Sequence, residues 1–204
     1  MRRSSSACWG RNNRKMKLIV GLGNPGRSYA ANRHNIGFSC LSYFARALVI
    51  KLNKKQGLAR IGTGAVAGNK VVLARPQTFM NNSGQSVSRL VRKFKINPKD
   101  LLVIHDDLDL PLAKLRLSSG SGSGGHKGVN SIIQELGTQD FIRLRVGIGR
   151  PNKLNPTEED IIAYVLSDFT PEGKKAISLV IPKVAEAILC LLTEGLTAAM
   201  NRFN

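Results

Sequence analysis

The first 99 residues contain no acidic side chain, although twenty Lys and Arg lie among them. Asp100 is the first acid, and from there to the C-terminus eleven basic residues face thirteen acidic ones. The formal charge of +18 over 204 residues is therefore a property of one half of the chain. An acid-free half offers nothing to a basic partner and implies a polyanionic one, because Lys and Arg gain by displacing the counterions condensed on phosphates. Cysteine is scarce too. Cys8, Cys40 and Cys190 are odd in number and widely scattered, which suits neither a disulfide framework nor a zinc ligand set and leaves idle thiols in a reducing compartment. No stretch approaches the roughly 18 uninterrupted apolar residues of a membrane span. Nor does any segment join the basic charge to a strong apolar face, so no membrane is expected as a partner. Internal repeats and an interdomain linker are also missing, and the length suits one well-buried core.

Residues 1–15 are Arg/Ser-rich and lack apolar periodicity. A secretory signal needs an apolar run that is absent here, and a transit peptide is usually longer and amphipathic. The expectation is a disordered extension over 1–15 and one domain over 16–204. Beyond Met16, Lys17–Leu22, Val71–Ala74, Leu101–His105 and Leu144–Ile148 read as buried strands. Ile36–Leu48, Val87–Phe94 and Gly128–Leu136 have helical spacing, as does Glu172–Leu192, which Pro182 should kink or divide. Alternation of this kind predicts an α/β fold, a single domain built on a twisted, mixed but largely parallel sheet with helices on both faces.

In such sheets chemistry collects beyond the carboxyl ends of the strands. Four polar clusters follow predicted strands or loops: Gly23–Asn35, Arg75–Asn82, His105–Asp109, and Gly125–Gly128 after the Ser/Gly run Ser118–Gly125. Topology predicts that they converge on one cleft. Gly21-Leu22-Gly23-Asn24-Pro25-Gly26 fits the dinucleotide fingerprint, but the ribose-holding acid about twenty residues on is missing, and Pro25 suggests a turn rather than a helix start. No G-x-S-x-G nucleophile elbow occurs, and no cysteine lies in an activating motif. His105, Asp106, Asp107, Asp109 and His126 could be imagined around a metal ion, yet residues on one strand alternate in direction and few could share it. A histidine–carboxylate pair that activates water remains. His34 precedes an apolar helix that can anchor its backbone, and Asp106 ends a buried strand, a rigid mount for a partner carboxylate. Asn24 and Asn81 carry amides able to grip a carbonyl and a water. A basic cleft used only for RNA binding is the alternative.

These clusters, with Tyr29, Thr78-Phe79-Met80-Asn81, Gly124-Gly125-His126, Arg143–Gly149, Gly195-Leu196-Thr197 and Asn201-Arg202, resemble the bacterial-type peptidyl-tRNA hydrolase family, in order from Met16 to the C-terminus. The resemblance implies hydrolysis of the ester joining a peptide to the 3′ ribose of tRNA, without a cofactor or metal. It assigns His34 as the base, Asp106 as the carboxylate that raises its basicity, and Asn24 as a discriminator of N-blocked from free aminoacyl-tRNA. Tyr29, Phe79 and Asn81 would meet the tRNA 3′ end and its peptide, with Met80 and His126 in the same cleft. Lys114, Arg116 and Arg145 would lie near the acceptor stem. The family usually has Asn after Gly-Gly-His, where this chain has Lys127, an ammonium that donates but cannot accept. A monomer in the bacterial cytoplasm is expected, or in an organelle if residues 1–15 are a targeting signal, with no obligate protein partner. Some relatives of the fold bind RNA without relying on hydrolysis.

Overall fold

The computed structural model describes residues 16–204; the extension expected over 1–15, with Cys8, lies outside them. The elements run β1 (Lys17–Gly21), α1 (Ile36–Ala47), β2 (Lys54–Gln56), β3 (Ala59–Val66), β4 (Asn69–Pro76), α2 (Ser83–Phe94) and β5 (Leu101–Asp107). There follow β6 (Leu115–Ser119), α3 (Lys127–Leu136), β7 (Ile142–Gly147), α4 (Glu158–Val165), α5 (Pro171–Glu194) and α6 (Leu196–Phe203). One seven-stranded sheet orders them β2-β3-β4-β1-β5-β7-β6. The four central strands are parallel, while β2, β3 and β6 add antiparallel edges. Each parallel strand reads as a continuous apolar run because both of its faces are covered. Alternate residues split accordingly. Ile19, Leu73, Leu102 and Ile104 pack with α1, α5 and α6, whereas Leu18, Val20, Val72 and Val103 pack with α2 and α3.

Two glycines decide how close α1 comes. A Cβ on Gly37 would sit 2.3 Å from the Ile104 carbonyl oxygen, and one on Gly21 would sit 2.2 Å from the Gly37 oxygen. The first turn of α1 is thus pressed onto β1 and β5, which carries the residues just before it over the end of β5. Glycine at position 21, and at 23 where a Cβ would strike the Phe38 ring, serves helix packing here rather than a phosphate turn.

The structure differs from the sequence reading at several elements. The antiparallel hairpin of β2 and β3, the edge strand β6 and the helices α4 and α6 were not expected. Helix α5 runs through Pro182 as one helix of 24 residues. It is also long and apolar enough by composition to cross a membrane. Here its apolar stripe (Ile177, Val180, Val184, Ile188) is buried against the sheet and α1. Cys40 and Cys190 are free and buried, and burial pushes the Cys40 thiol up to about 12, where it stays unreactive.

Candidate active site

Beyond the carboxyl ends of β1, β4 and β5 opens a cleft of about 670 Å³. All four polar clusters reach it: Asn24 from the first, Phe79, Met80 and Asn81 from the second, His105–Asp109 from the third and Ser123–Lys127 from the fourth. His34 joins them from the turn before α1.

Asp106 is the hub. It is 3% exposed at the end of β5, and it is approached from both faces of the sheet. From the α1 side, His34 Nδ1 lies 2.9 Å from each carboxylate oxygen; from the α3 side, His126 Nε2 lies 2.9 Å from Oδ1. Burial alone would raise the Asp106 carboxyl, but the two imidazoles outweigh it and hold the group well below the ordinary carboxylate range. An ionised carboxylate only accepts, so both histidines donate to it. For His126 the tautomer is fixed a second way. It caps α3, and its Nδ1 accepts from the backbone N–H groups of Gly128 (3.1 Å) and Val129 (3.2 Å). Its proton must therefore sit on Nε2. His34, donating through Nδ1, keeps the lone pair of Nε2 free for the cleft. That is the state of a general base.

The backbone of His34 is held from outside the sheet. Arg33 is buried, donates to Ser167 Oγ at 2.6 Å and stacks on Tyr164 with its guanidinium carbon 4.3 Å from the ring centre. His105 packs edge-on to His126 with ring centres 4.7 Å apart, and its Nδ1 donates to the Asp106 carbonyl oxygen. Burial, reinforced by its proximity to His126, drops its pKa to about 3, so this ring is a neutral spacer under the site. Asn24 is held by a reciprocal pair of bonds with Asn35: its N–H donates to Asn35 Oδ1 (2.8 Å), and Asn35 Nδ2 donates to its carbonyl (2.9 Å). The Asn24 Oδ1 accepts from Met80 N–H (2.8 Å), which turns its amide nitrogen into a donor for the cleft. Asn81 is exposed in the cleft wall, next in sequence to the Met80 that Asn24 holds. Phe79, 57% exposed, stands edge-to-face with Tyr29 at 6.4 Å, an aromatic platform at the mouth.

The Ser/Gly run is better held than its composition suggests. Arg143 of β7, itself buried, donates to the carbonyl oxygens of Ser121 and Gly122 and so fixes the loop that delivers His126. Residues imagined around a metal separate: Asp107 binds Arg145, Asp109 binds Arg150, and His105 faces a carbonyl. The one group among the described residues whose ligand atoms converge, within 4.8 Å, is His34, Asp106 and His126. The trio could take an ion, but shared protons already account for its geometry.

A sequence model of the family described as peptidyl-tRNA hydrolase matches residues 18–204. The chain belongs to the peptidyl-tRNA hydrolase family. The peptidyl-tRNA hydrolase of Dehalococcoides mccartyi is 50% identical over 189 residues, 93% of this chain and 100% of that protein. That of Aquifex aeolicus is 48% identical over 177 residues, covering 87% and 88% of the two chains. The crystal structure of the peptidyl-tRNA hydrolase from Acinetobacter baumannii is similar with a TM-score of 0.86 at 36% identity, covering 93% of this chain and 94% of that one.

Against the residues that the peptidyl-tRNA hydrolase resemblance singles out, the cleft brings together His34, Asp106, Asn24, Phe79, Met80, Asn81, His126 and Lys127, with Tyr29 on its lip. Lys114, Arg116 and Arg145 lie outside the lining. Lys114 and Arg116 are exposed on and just before β6, Arg145 is the cross-strand partner of Arg116, and its bond to Asp107 joins this basic edge to the cleft. Lys127 turns away from the histidines. Its Nζ meets Glu158 at 3.2 Å, an exposed pair that links the start of α3 to α4. Missed in the sequence were the clamp of Asn35 on Asn24 and the far wall of Ile161, Ile162, Val165 and Leu166 on and just after α4. The signal was present: Thr157-Glu158-Glu159-Asp160 forms a capping box ahead of that apolar group.

Proposed function

We propose that this protein hydrolyses the ester between a peptide and the 3′-terminal ribose of tRNA, with water activated by His34 and Asp106. The observation that carries the proposal is the His34–Asp106 contact, which leaves a basic ring nitrogen in a cleft fed from a basic surface. In the reaction, His34 Nε2 takes a proton from water while the oxygen attacks the ester carbonyl. Asp106 stabilises the imidazolium that forms. The Asn24 amide donates to the carbonyl oxygen as it gains charge, with Asn81 in the same cleft. Collapse breaks the bond to the ribose oxygen, which receives the proton from His34. Peptide and free tRNA leave, and no cofactor takes part.

The binding side of the proposal follows the same surface. Phe79 and Tyr29 stack the terminal base, Met80, His126 and Lys127 line the peptide side, and Lys114, Arg116 and Arg145 meet acceptor-stem phosphates. The protein works as a monomer in the cytoplasm, and residues 16–204 are the domain that does so. The test is incubation with an N-acetyl-aminoacyl-tRNA, with and without chelator, beside His34→Ala. Release by the parent in chelator and none by the variant is expected. Tight binding without release by the parent would favour an RNA-binding module, and loss of release in chelator would favour a metal enzyme.

A further inference from the structure

A second cavity, of about 590 Å³, adjoins the cleft, and Asn24 lines both. Its walls come from Gly26 and Ala30 on one side, α1 on another (Ser39, Ser42, Arg46), Arg75 at the end of β4, and Ser178 of α5. No carboxylate lines it among the described residues. The sequence explains why: all but the α5 wall comes from the acid-free half. Arg75 is the core of the pocket. Its guanidinium carbon lies over the Phe38 ring, 4.3 Å from the ring centre, and the group donates to Ser42 Oγ at 3.2 Å, while its Nε is buried without a partner among the described residues. Ser42 is itself oriented, donating to the Phe38 carbonyl oxygen at 2.6 Å. A half-buried cation with no counter-charge is costly to keep unless something anionic visits it.

We propose that this cavity is a phosphate subsite, which takes the phosphodiester just 5′ of the terminal nucleotide of the substrate. A guanidinium fork suits a tetrahedral oxyanion, and the Arg46 side chain on the same wall adds a second cation; the serine hydroxyls donate to backbone carbonyls and leave the recognition to charge. The position selects its source. Tyr29, half of the aromatic platform at the mouth of the cleft, lies between Gly26 and Ala30 of the cavity wall. A base stacked on that platform therefore brings its own 5′ phosphate to Arg75. Every peptidyl-tRNA carries that phosphate, whereas acidic groups on the peptide vary from one substrate to the next.

The inference rests on the proposed hydrolysis, and two substrates separate the two. One is N-acetyl-aminoacyl-tRNA; the other is the same N-acetyl-aminoacyl ester on adenosine, which has no phosphate. The readout is the ratio of kcat/KM on the first to that on the second, for the parent, Arg75→Lys, Arg46→Gln and the double variant Arg75→Gln with Arg46→Gln. The double variant is expected to lower the ratio about tenfold, through KM, as removal of one charge-assisted hydrogen bond to phosphate would. The salt dependence of KM on tRNA should flatten by about 0.7 in log–log slope for each phosphate interaction removed. Arg75→Lys, which keeps the charge, should recover part of the ratio, and Arg46→Gln, on an exposed side chain, should lower it without disturbing the fold. An unchanged ratio overturns the subsite, whether both substrates slow equally, as for a peptide pocket or a packing role, or neither does, as for a site of free phosphate. A parent inactive on both substrates would instead refute the hydrolysis itself.

Discussion

Asp106→Asn should do more damage than the loss of one charge implies, because His126 dictates how the new amide must sit. The carboxylate accepts from two donors, and an amide can accept with one side only. His126 cannot yield, since its Nδ1 is held by the N–H groups of Gly128 and Val129. Its Nε2–H therefore claims the amide oxygen, and the amide NH2 is left to face His34 Nδ1. The NH2 opposes a proton on that nitrogen, and although Nδ1 also lies 2.9 Å from the oxygen that His126 holds, the balance shifts toward a His34 proton on Nε2, the atom that has to be free for water. A base locked in the wrong tautomer costs about 10⁴ in turnover in a comparable triad, so kcat should fall about 10³- to 10⁴-fold, or roughly 4–5.5 kcal/mol of barrier. The same reasoning predicts a rescue. With His126→Ala added, the amide oxygen is released to accept from His34 Nδ1, the useful tautomer returns, and kcat should climb about tenfold or more over Asp106→Asn alone. Single-turnover release from N-acetyl-aminoacyl-tRNA, with circular dichroism as a check on folding, measures both. A double variant as slow as Asp106→Asn, or slower, would refute the claim that His126 controls the proton on His34 once residue 106 is an amide.

Lys127→Asn should leave kcat near that of the parent while changing KM, because the ammonium meets Glu158 rather than the reacting groups; a large change in turnover at saturation would contradict this. His105 holds its pKa at about 3 when folded, against an ordinary value of 6.5. Between those values the unfolded chain carries the proton and the folded one does not. Stability should thus rise with pH through this window, by about 1.4 kcal/mol per unit from this residue, and the gain is complete above it. Urea titrations at a series of pH values should show a correspondingly shallower rise for His105→Gln. Gly37→Ala should destabilise the fold by about 1–3 kcal/mol, since its methyl group has the Ile104 carbonyl in its way, and should reduce activity in the folded fraction by displacing His34; thermal melts and assays normalised to folded protein test it.

Sequence pattern found the strands buried on both faces because their apolar runs are unbroken, as in Leu101–Ile104. It failed at the sheet edges, where the pattern is diluted. β3 carries Gly62 and Gly64, against which Ile50 and the Lys51 backbone pack, and these interrupt any β-rich run. β6 is short and alternates exposed Arg116 with buried Leu117. Pro182 left α5 whole because packing of the stripe around it against the core outweighs a local penalty of about 3 kcal/mol. At the site, residue types pointed to His34 and Asp106, and topology pointed to one cleft. The second histidine on Asp106 and the clamp of Asn35 on Asn24 were not legible, since neither is a matter of sequence spacing. Both arise where loops from different strands meet.

The two histidines of Asp106 come from elements on opposite faces of the sheet, one ahead of α1 and the other capping α3, and their rings meet with centres 5.0 Å apart. One carboxylate therefore ties the two helix layers together. A chain whose α3 layer has come loose still holds His34 against Asp106, and what it loses is the second imidazole that keeps that carboxylate ionised against its burial. On the proposed mechanism, loosening of α3 acts on turnover through the ionisation of Asp106 rather than through the reacting side chains themselves.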